Sequence, residues 1–218
     1  GNIGRSLIRK FTKNNYKVVA VTRNIHQKGF QLKTQANPGY LELVELERLD
    51  EVKIKDLFNS CSVCVNLIGI LYEKNKGQFN KIHSVLPNIL SKIAKEKKID
   101  QFIHVSALGV ENASNSVYAK SKLDGENNVK KNFKNSLILK PSIVYGIDDN
   151  FTTNFMSLLS KLPIMPLYYN GETKFVPIHV SDLAEIIYQI ISKENKNETI
   201  ECIGPEVLSF KEILKKIL

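Results

Sequence analysis

Tryptophan is absent from this sequence of 218 residues, cysteine occurs only three times, and no long apolar run is present. So few cysteines exclude a disulfide-rich secreted domain and favour a reducing compartment. The most apolar segment, Val63 to Leu71, is much shorter than the roughly 20 residues that a membrane-spanning helix requires. We therefore expect neither a disulfide scaffold nor a transmembrane protein.

Acidic residues are fewer than basic ones: 22 Asp and Glu stand against 31 Lys and Arg, which gives a formal net charge of +9. Such a charge is compatible with nucleic acid, an anionic membrane surface or an acidic protein partner. The lysines are spread along the chain, however, as in Lys95-Glu-Lys-Lys98, and no basic stripe with interleaved aromatic residues is present. We interpret the excess as solvated surface rather than a nucleic-acid-binding face.

A metal or thiol-redox site is not expected either. Cys61 and Cys64 form a C-x-x-C pair, but residues three apart on a regular strand point to opposite faces of the sheet. The histidines show no metal-ligand spacing, and we interpret all four as structural or surface residues: His26, His83, His104 and His179.

The stretch with the clearest chemistry runs from Gln101 to Glu126. An apolar segment from Phe102 to Val105 predicts a buried strand that ends at Ser106, and a polar loop and a helix follow it. On that helix Tyr118 and Lys122 are four residues apart, so both side chains lie on one face and can point to the strand end at Ser106. These three residues outline an acid–base site.

Proton transfer by Tyr118 near neutral pH requires that its pKa fall by about 3 units from the ordinary value of about 10. Lys122 can favour the phenolate by its charge, while the Ser106 hydroxyl can hold a substrate oxygen in line with the phenol. Tyr-x-x-x-Lys is a weak motif by itself, because a half-buried ring beside a solvated lysine is common on helices. Its context decides the interpretation.

That context begins at the first residues, Gly1-Asn-Ile-Gly4-Arg5. Two glycines three apart at a helix start are typical of the last two glycines of a dinucleotide loop, whose N–H groups bind the pyrophosphate. The first glycine and the strand before it are absent, and the chain stops in an apolar helix from Phe210 to Leu218. We expect that both ends are truncated, since the missing first strand belongs in the middle of such a sheet.

The chain resembles an extended or atypical short-chain dehydrogenase/reductase. The matching segments are Gly1 to Arg5, Asn66-Leu-Ile-Gly69, Ser106 with Tyr118 and Lys122, Lys140-Pro-Ser-Ile-Val-Tyr-Gly146, and Val176-Pro-Ile-His-Val-Ser-Asp182. The resemblance implies that Ser106, Tyr118 and Lys122 are catalytic and that Lys122 also binds the nicotinamide ribose. It implies a cofactor site formed by Gly1, Asn2, Ile3, Gly4, Arg5, Arg23, Asn66, Ile68, Gly69, Tyr118, Lys122, Pro141, Ser142 and Ile143.

The choice of cofactor depends on the end of the strand that follows the glycines. An Asp or Glu there binds the ribose hydroxyls of NAD, whereas an Arg accepts the 2′-phosphate of NADP. This sequence has Thr22-Arg23-Asn24 at that position, without a carboxylate, and Arg5 lies just past the glycines. We predict NADP(H) over NAD, with Arg23 as phosphate ligand. The alternative is that both arginines are surface charges.

Strands and helices alternate, which predicts one α/β domain, a doubly wound parallel sheet of the Rossmann type. A small lobe is expected from about 147–178 and 196–218. We predict that Pro87 kinks its helix and that Asp182 caps the helix that it begins. The predicted strands are Tyr16–Thr22, Leu41–Val44, Val63–Leu67, Phe102–Val105 and Leu137–Lys140, and the predicted helices include Val52–Asn59 and Ser181–Ile191.

A narrower resemblance is carried by Phe102 to Gly109, Lys140 to Phe151 and Leu162 to Leu167. These segments are similar to the NADPH-binding accessory subunits of respiratory complex I and their bacterial relatives. The resemblance implies a cofactor held mainly for structure or assembly, in a protein associated with complex I or quinone metabolism. Such a protein is cytoplasmic or is peripheral on the cytoplasmic or matrix face of the respiratory membrane. Two alternatives stay open: a soluble NAD(P)-dependent oxidoreductase or sugar-nucleotide epimerase, and a dinucleotide-sensing regulator.

Overall fold

The computed structural model of the protein describes residues 1–113, 115–147, 149–161, 167–193 and 198–217. Helices and strands alternate along the chain, as the sequence predicts. The α-helices are α1 (Asn2–Lys13), α2 (Ile25–Lys33), α3 (Glu51–Phe58), α4 (Leu86–Glu96), α5 (Val117–Asn132), α6 (Asn150–Leu159), α7 (Val180–Ser192) and α8 (Phe210–Ile217). A π-helical segment (Asn80–Val85) precedes α4, and short 3₁₀ turns lie at Val110–Asn112 and Tyr168–Gly171.

The strands form one central parallel sheet and three smaller pairs. They are β1 (Val18–Thr22), β2 (Leu41–Glu45), β3 (Val63–Asn66), β4 (Gln101–Val105), β5 (Ser136–Pro141), β6 (Val144–Tyr145), β7 (Lys174–Phe175), β8 (Ile178–His179), β9 (Thr199–Cys202) and β10 (Leu208–Ser209). The central sheet has the order β3-β4-β5-β9, with all neighbours parallel. β1 and β2 form a parallel pair, as do β6 and β8, whereas β7 and β10 are antiparallel. The predicted α/β class with a parallel sheet is confirmed.

Helices cover both faces of the sheet, and the alternation of side chains along β4 shows why. Ile103 and Val105 point to a core that also contains Leu183 of α7 and Leu7 of α1. Phe102 points to the opposite core, which contains side chains of α3, α4 and α5. A strand buried on both faces is largely apolar, as Phe102, Ile103 and Val105 are here, and each fully buried aliphatic or aromatic side chain stabilises the fold by about 1.5–3 kcal/mol.

The β1–β2 pair packs against both of these cores. Within the described residues, however, no backbone hydrogen bonds of a sheet join β1 to β3. Val18 of β1 packs against the core of α1 and α7, and Leu46, directly after β2, packs against the core of α3, α4 and α5. The two parallel pieces therefore bury their apolar side chains together.

Two expectations about local structure require correction. The sequence shows only a polar stretch from Thr22 to Gly39, without a predicted helix, but the structure has α2 there, whose N-cap Asn24 accepts a hydrogen bond from the N–H of Gln27 at 2.9 Å. The helix buries only Gly29, so its apolar periodicity is weak. Pro87 lies in the first turn of α4, directly after the π-helical segment, where its missing N–H is tolerated, and the kink predicted there stays a prediction.

The second correction concerns Asp182. Helix α7 begins at Val180, and its N-cap is His179, whose Nδ1 accepts from the N–H of Ser181 at 3.3 Å. Asp182 lies in the first turn, where its charge is favourable to the helix dipole.

The segments assigned to a small lobe contact each other in part. β7 pairs with β10, and Phe210 of α8 lies edge-on to Phe155 of α6, with 5.4 Å between ring centroids. The ring of Phe175 of β7 also contacts the ring of Phe210, with 6.2 Å between centroids. The predicted Leu162–Leu167 match lies mostly outside the described residues, and the division of the chain into domain and lobe stays a prediction.

Candidate active site

Polar side chains meet where the parallel strands β3, β4 and β5 end. Asn66 is the last residue of β3, and its Oδ1 accepts a hydrogen bond from the N–H of Ile68 at 3.1 Å. Its Nδ2 donates to Nδ1 of His104, at the same level of β4, at 3.1 Å. Asn66 thereby fixes the turn that contains Ile68 and Gly69.

Lys122 extends from α5 to this turn and is 6% exposed. Its ammonium donates to the carbonyl oxygen of Val105 at 3.3 Å, and a Cβ added to Gly69 would lie 3.3 Å from Nζ. Burial lowers the pKa of Lys122 to about 8, although the carboxylate of Glu126 opposes that shift. The glycine allows the backbone of the turn to approach a buried cation closely.

Tyr118 lies one helical turn before Lys122, and aromatic rings surround its own. It is edge-on to Phe79 and to His83, with ring centroids 5.5 and 5.3 Å away. Burial raises the pKa of the phenol. We expected the charge of Lys122 to lower this pKa, and that expectation is wrong for this arrangement, because the aromatic surroundings disfavour the phenolate.

Ser106 follows β4 as predicted and is buried, but its hydroxyl is occupied. Oγ donates to Oε1 of Glu126 at 2.6 Å. Glu126 is 1% exposed, and its other oxygen lies 3.3 Å from Nζ of Lys140, which also contacts Glu111 at 2.8 Å. The sequence analysis missed Glu126, although its position four residues after Lys122 places it on the same face of α5.

Two histidines interpreted as structural residues lie inside this site. His83 accepts from the N–H of Ile70 through Nε2, and its Nδ1 lies 3.0 Å from the hydroxyl of Ser121. Burial and the charge of Lys122 lower the pKa of His83 to about 4 and that of His104 to about 3. Both rings are therefore neutral at physiological pH, and within the described residues Nε2 of His104 has no hydrogen-bond partner.

The predicted glycine loop lies at the start of α1. Gly1 is the N-cap, so the N–H groups of Asn2, Ile3 and Gly4 have no carbonyl partner within their own helix. A Cβ added to Gly4 would contact Leu67, in the turn after β3, at 3.7 Å. The side-chain Nδ2 of Asn2 is buried without a partner in the described part of the chain. The loop therefore lies beside the turn that Asn66 fixes.

The remaining predicted cofactor residues lie at the same edge of the sheets. Arg23 follows β1 and is exposed. Pro141 ends β5, and the two residues after it make backbone hydrogen bonds to neighbouring segments: the N–H of Ser142 donates to Cys202, and the carbonyl of Ile143 accepts from Ile178. The structure thus brings the predicted positions to one edge, while their roles toward a cofactor stay a prediction.

Other kinds of site find no support in the described ranges. They contain no group of three or more His, Cys, Asp or Glu side chains that could hold a metal ion. Cys61 and Cys64 are free thiols, and burial raises the pKa of Cys64 to about 12. None of the helices in those ranges combines the length and the apolar character that crossing a bilayer demands.

Comparison with known proteins supplies independent information. The family described as RmlD substrate binding domain matches residues 1–208. Subunit 9 of the NADH dehydrogenase [ubiquinone] 1 alpha subcomplex from Arabidopsis thaliana, a mitochondrial protein, is 27% identical over 98% of this chain and 54% of its own length. A ceramide reductase from Caulobacter vibrioides is 25% identical over 84% of this chain and 56% of its own length. The chain thus spans somewhat over half the length of these relatives.

Solved structures agree with the fold. UDP-glucuronic acid 4-epimerase from Bacillus cereus, solved in complex with NAD, superimposes on the whole chain and on 81% of its own length, with a TM-score of 0.81 and 23% identity. This likeness establishes the architecture and leaves the substrate open. Together with the sequence relatives it confirms the predicted resemblance to extended short-chain dehydrogenases/reductases and to a complex I subunit.

Proposed function

Because this chain belongs to the RmlD substrate binding domain family, we propose that it binds NADP(H) at the carboxyl edge of its parallel strands. We further propose that it is a module associated with respiratory complex I or quinone metabolism. In this proposal the cofactor is held mainly for structure or assembly. The protein is then peripheral to the cytoplasmic or matrix face of the respiratory membrane.

One observation carries the binding proposal: the buried ammonium of Lys122 lies against Gly69, in a turn that also adjoins the start of α1. A cation kept in a buried position at the end of parallel strands suits the hydroxyl groups of a cofactor ribose. The start of α1 offers backbone N–H groups for a pyrophosphate, and the unpartnered Nδ2 of Asn2 gives a further donor there. These residues fit a dinucleotide.

The cofactor residues carried over by resemblance complete the proposed site. Asn66, Ile68 and Gly69 support the cofactor from the turn after β3, and Pro141, Ser142 and Ile143 do so from the end of β5. A bound nicotinamide supplies hydride chemistry, and the protein supplies orientation and charge. Arg23 is the proposed ligand of the 2′-phosphate, because its exposed guanidinium at the end of β1 can form a bidentate contact.

We prefer a cofactor-holding module to an enzyme because of the surroundings of Ser106 and Tyr118, two of the three residues that catalysis would use. The Ser106 hydroxyl donates a hydrogen bond to Glu126, and burial raises the pKa of Tyr118. In this arrangement Ser106 is bound within the protein, and burial favours the protonated phenol over the phenolate. The alternative, an NAD(P)-dependent oxidoreductase or epimerase using Ser106, Tyr118 and Lys122, is supported by the similarity to the Caulobacter reductase.

Titration of the full-length protein with NADPH and NADH tests the binding proposal. We expect tighter binding of NADPH, and Arg23→Ala should erase most of that preference, by about 1.5–3 kcal/mol for a charge-assisted contact. Arg9→Ala is the control, because it removes an exposed arginine in the middle of α1, away from the carboxyl edge of the strands, and should leave the preference unchanged. Equal affinity of the unmodified protein for both cofactors would contradict the choice of NADP(H).

Tyr118→Phe separates module from enzyme, because it keeps the ring and its aromatic contacts but removes the proton. A module should keep NADPH binding and assembly with complex I unchanged in this variant. An oxidoreductase should lose turnover by roughly 10²–10⁴-fold, the scale of general acid–base catalysis. Co-purification with complex I and NADPH affinity are measured on the same preparations, and loss of respiration with both intact would reject the module.

A further inference from the structure

A directed chain of hydrogen bonds runs through His83 and joins the turn after β3 to helix α5. The N–H of Ile70 lies 3.0 Å from Nε2 of His83, and Nδ1 of that ring lies 3.0 Å from Oγ of Ser121. The Ser121 hydroxyl in turn lies 2.7 Å from the carbonyl oxygen of Tyr118. His83 is 1% exposed and Ser121 is 5% exposed, so water does not compete for these bonds.

The donor and the acceptor of each of these hydrogen bonds follow from the two backbone groups at the ends, the N–H of Ile70 and the carbonyl of Tyr118. A backbone N–H can only donate, so Nε2 of His83 must be the unprotonated acceptor. The neutral ring then carries its proton on Nδ1 and donates it to Oγ of Ser121. The Ser121 proton is left for the carbonyl of Tyr118. The structure thus fixes one tautomer of His83, and a second proton on the ring would break the bond to Ile70.

Packing holds the ring at this junction. Phe79 stacks on it with 5.4 Å between centroids, and Tyr118 lies edge-on at 5.3 Å. Behind it the backbones of the π-helical segment and α5 meet at Gly125, where an added Cβ would come within 1.9 Å of the carbonyl oxygen of His83. The two helices therefore cannot shift relative to each other without moving the imidazole.

We infer that His83 is a positioning residue of the nucleotide site, which sets the turn at Gly69 and Ile70 relative to Tyr118 and Lys122 on α5. This inference rests on the proposed function, since the turn and the lysine are both proposed ligands of the cofactor. The ring acts through its two nitrogens, and its aromatic contacts alone are not sufficient. Gly69 directly precedes Ile70 in the sequence, and a Cβ added to Gly69 would lie 3.3 Å from Nζ of Lys122. A shift of Ile70 would therefore also move the backbone that lies against the lysine.

Two substitutions at one position separate hydrogen bonding from packing in the full-length protein. His83→Phe keeps a ring for Phe79 and Tyr118 but removes both nitrogens, whereas His83→Gln restores an acceptor and a donor. We expect the Phe variant to exchange the Ile70 amide hydrogen about tenfold faster and to weaken NADPH binding about tenfold, the scale of one lost hydrogen bond. The Gln variant should recover most of both properties.

A variant outside the ring tests the same chain if the Phe variant fails to fold. Ser121→Ala removes the acceptor of Nδ1–H, so the ¹⁵N shifts of the His83 ring should depart from the pattern with a proton on Nδ1 alone. Ser84→Ala is the matched control: it removes a 3.1 Å hydrogen bond from Asn128 of α5 to the same π-helical segment, outside the chain. It should leave the ring shifts and NADPH affinity unchanged.

The outcomes are distinguishable from failure of the proposed function. If the unmodified protein does not bind NADPH, the proposed function falls, while Ile70 exchange and the ¹⁵N shifts still decide whether His83 links the turn to α5. A Phe variant with normal exchange and normal affinity overturns the inference. Faster exchange with unchanged affinity overturns the connection between this chain and the nucleotide.

Discussion

The two halves of the candidate site are built from different interactions. In the lysine half, formed by Gly69, His83, Tyr118 and Lys122, neutral hydrogen bonds and ring contacts hold one buried cation. In the serine half, formed by Ser106, Glu111, Glu126 and Lys140, charged groups bind each other. The serine half thus uses its charges internally, whereas the lysine half holds the cation that we propose as a ligand of the cofactor.

The largest effect is expected in the serine half, from Lys140→Met. This change leaves the carboxylate of Glu126 buried without its cation, which should lower the free energy of unfolding by about 3–5 kcal/mol. The control is Lys216→Met, which removes an exposed ion pair with Glu206 and should cost less than about 1 kcal/mol. Urea unfolding of the two variants and the unmodified protein checks the difference.

A second change in the same background sharpens that result. Glu126→Gln combined with Lys140→Met removes the buried charge altogether, so part of the lost stability should return. If the double variant is as unstable as Lys140→Met alone, the ion pair is not the reason for the loss.

Stability at low pH should depend on two buried neutral histidines of the site: His83 of the lysine half, and His104, which lies beside Asn66. The folded-state pKa values of His83 and His104, about 4 and about 3, lie below the ordinary value of 6.5. Between pH 6.5 and about 4 the unfolded chain therefore binds protons that the folded chain does not, so stability falls as the pH falls. With about 1.36 kcal/mol for each pKa unit, each of the two histidines should contribute a loss on the order of 2–3 kcal/mol over this interval.

Carboxylates titrate in the same range, so the test compares variants. His83→Gln and His104→Gln should each flatten the decrease in unfolding free energy between pH 6.5 and 4.5, while His26→Gln, at an exposed position on α2, should not. Parallel curves for all four proteins would show that the buried histidines do not cause the acid sensitivity.

Local sequence patterns predicted some parts of the fold and of the site well, and missed others. The central strands were predicted closely, Val63–Leu67 against the observed Val63–Asn66 and Leu137–Lys140 against Ser136–Pro141, because strands buried on both faces are continuously apolar. Helix α2 was missed, since it buries only Gly29 and so lacks apolar periodicity. The presence of Tyr118 and Lys122 on one helix face followed from their spacing.

Partners distant in sequence could not be predicted from local patterns. An acidic residue on a helix, such as Glu126, is normally expected to be exposed to solvent. Glu126 is buried because Ser106 donates a hydrogen bond to it and Lys140 forms an ion pair with it. His83 was interpreted as a structural or surface residue, and its bond to the backbone of Ile70 could not be predicted because it depends on the turn after β3. Asp182 was misplaced as a cap because a histidine can also accept the N-terminal hydrogen bond.

The smallest expected effects come from Lys122→Met and Ser106→Ala, and they distinguish the two halves because one should change cofactor affinity and the other stability. Lys122→Met removes the charge that we assign to the cofactor ribose and should weaken NADPH binding about tenfold, the scale of one charge-assisted contact. Ser106→Ala should leave NADPH affinity within about twofold, because its hydroxyl is bound to Glu126, and should instead lower unfolding stability by about 1–3 kcal/mol through the unsatisfied carboxylate oxygen. Calorimetric titration and urea unfolding of both variants measure these quantities, and a Ser106→Ala variant that loses affinity but not stability would assign Ser106 to the ligand.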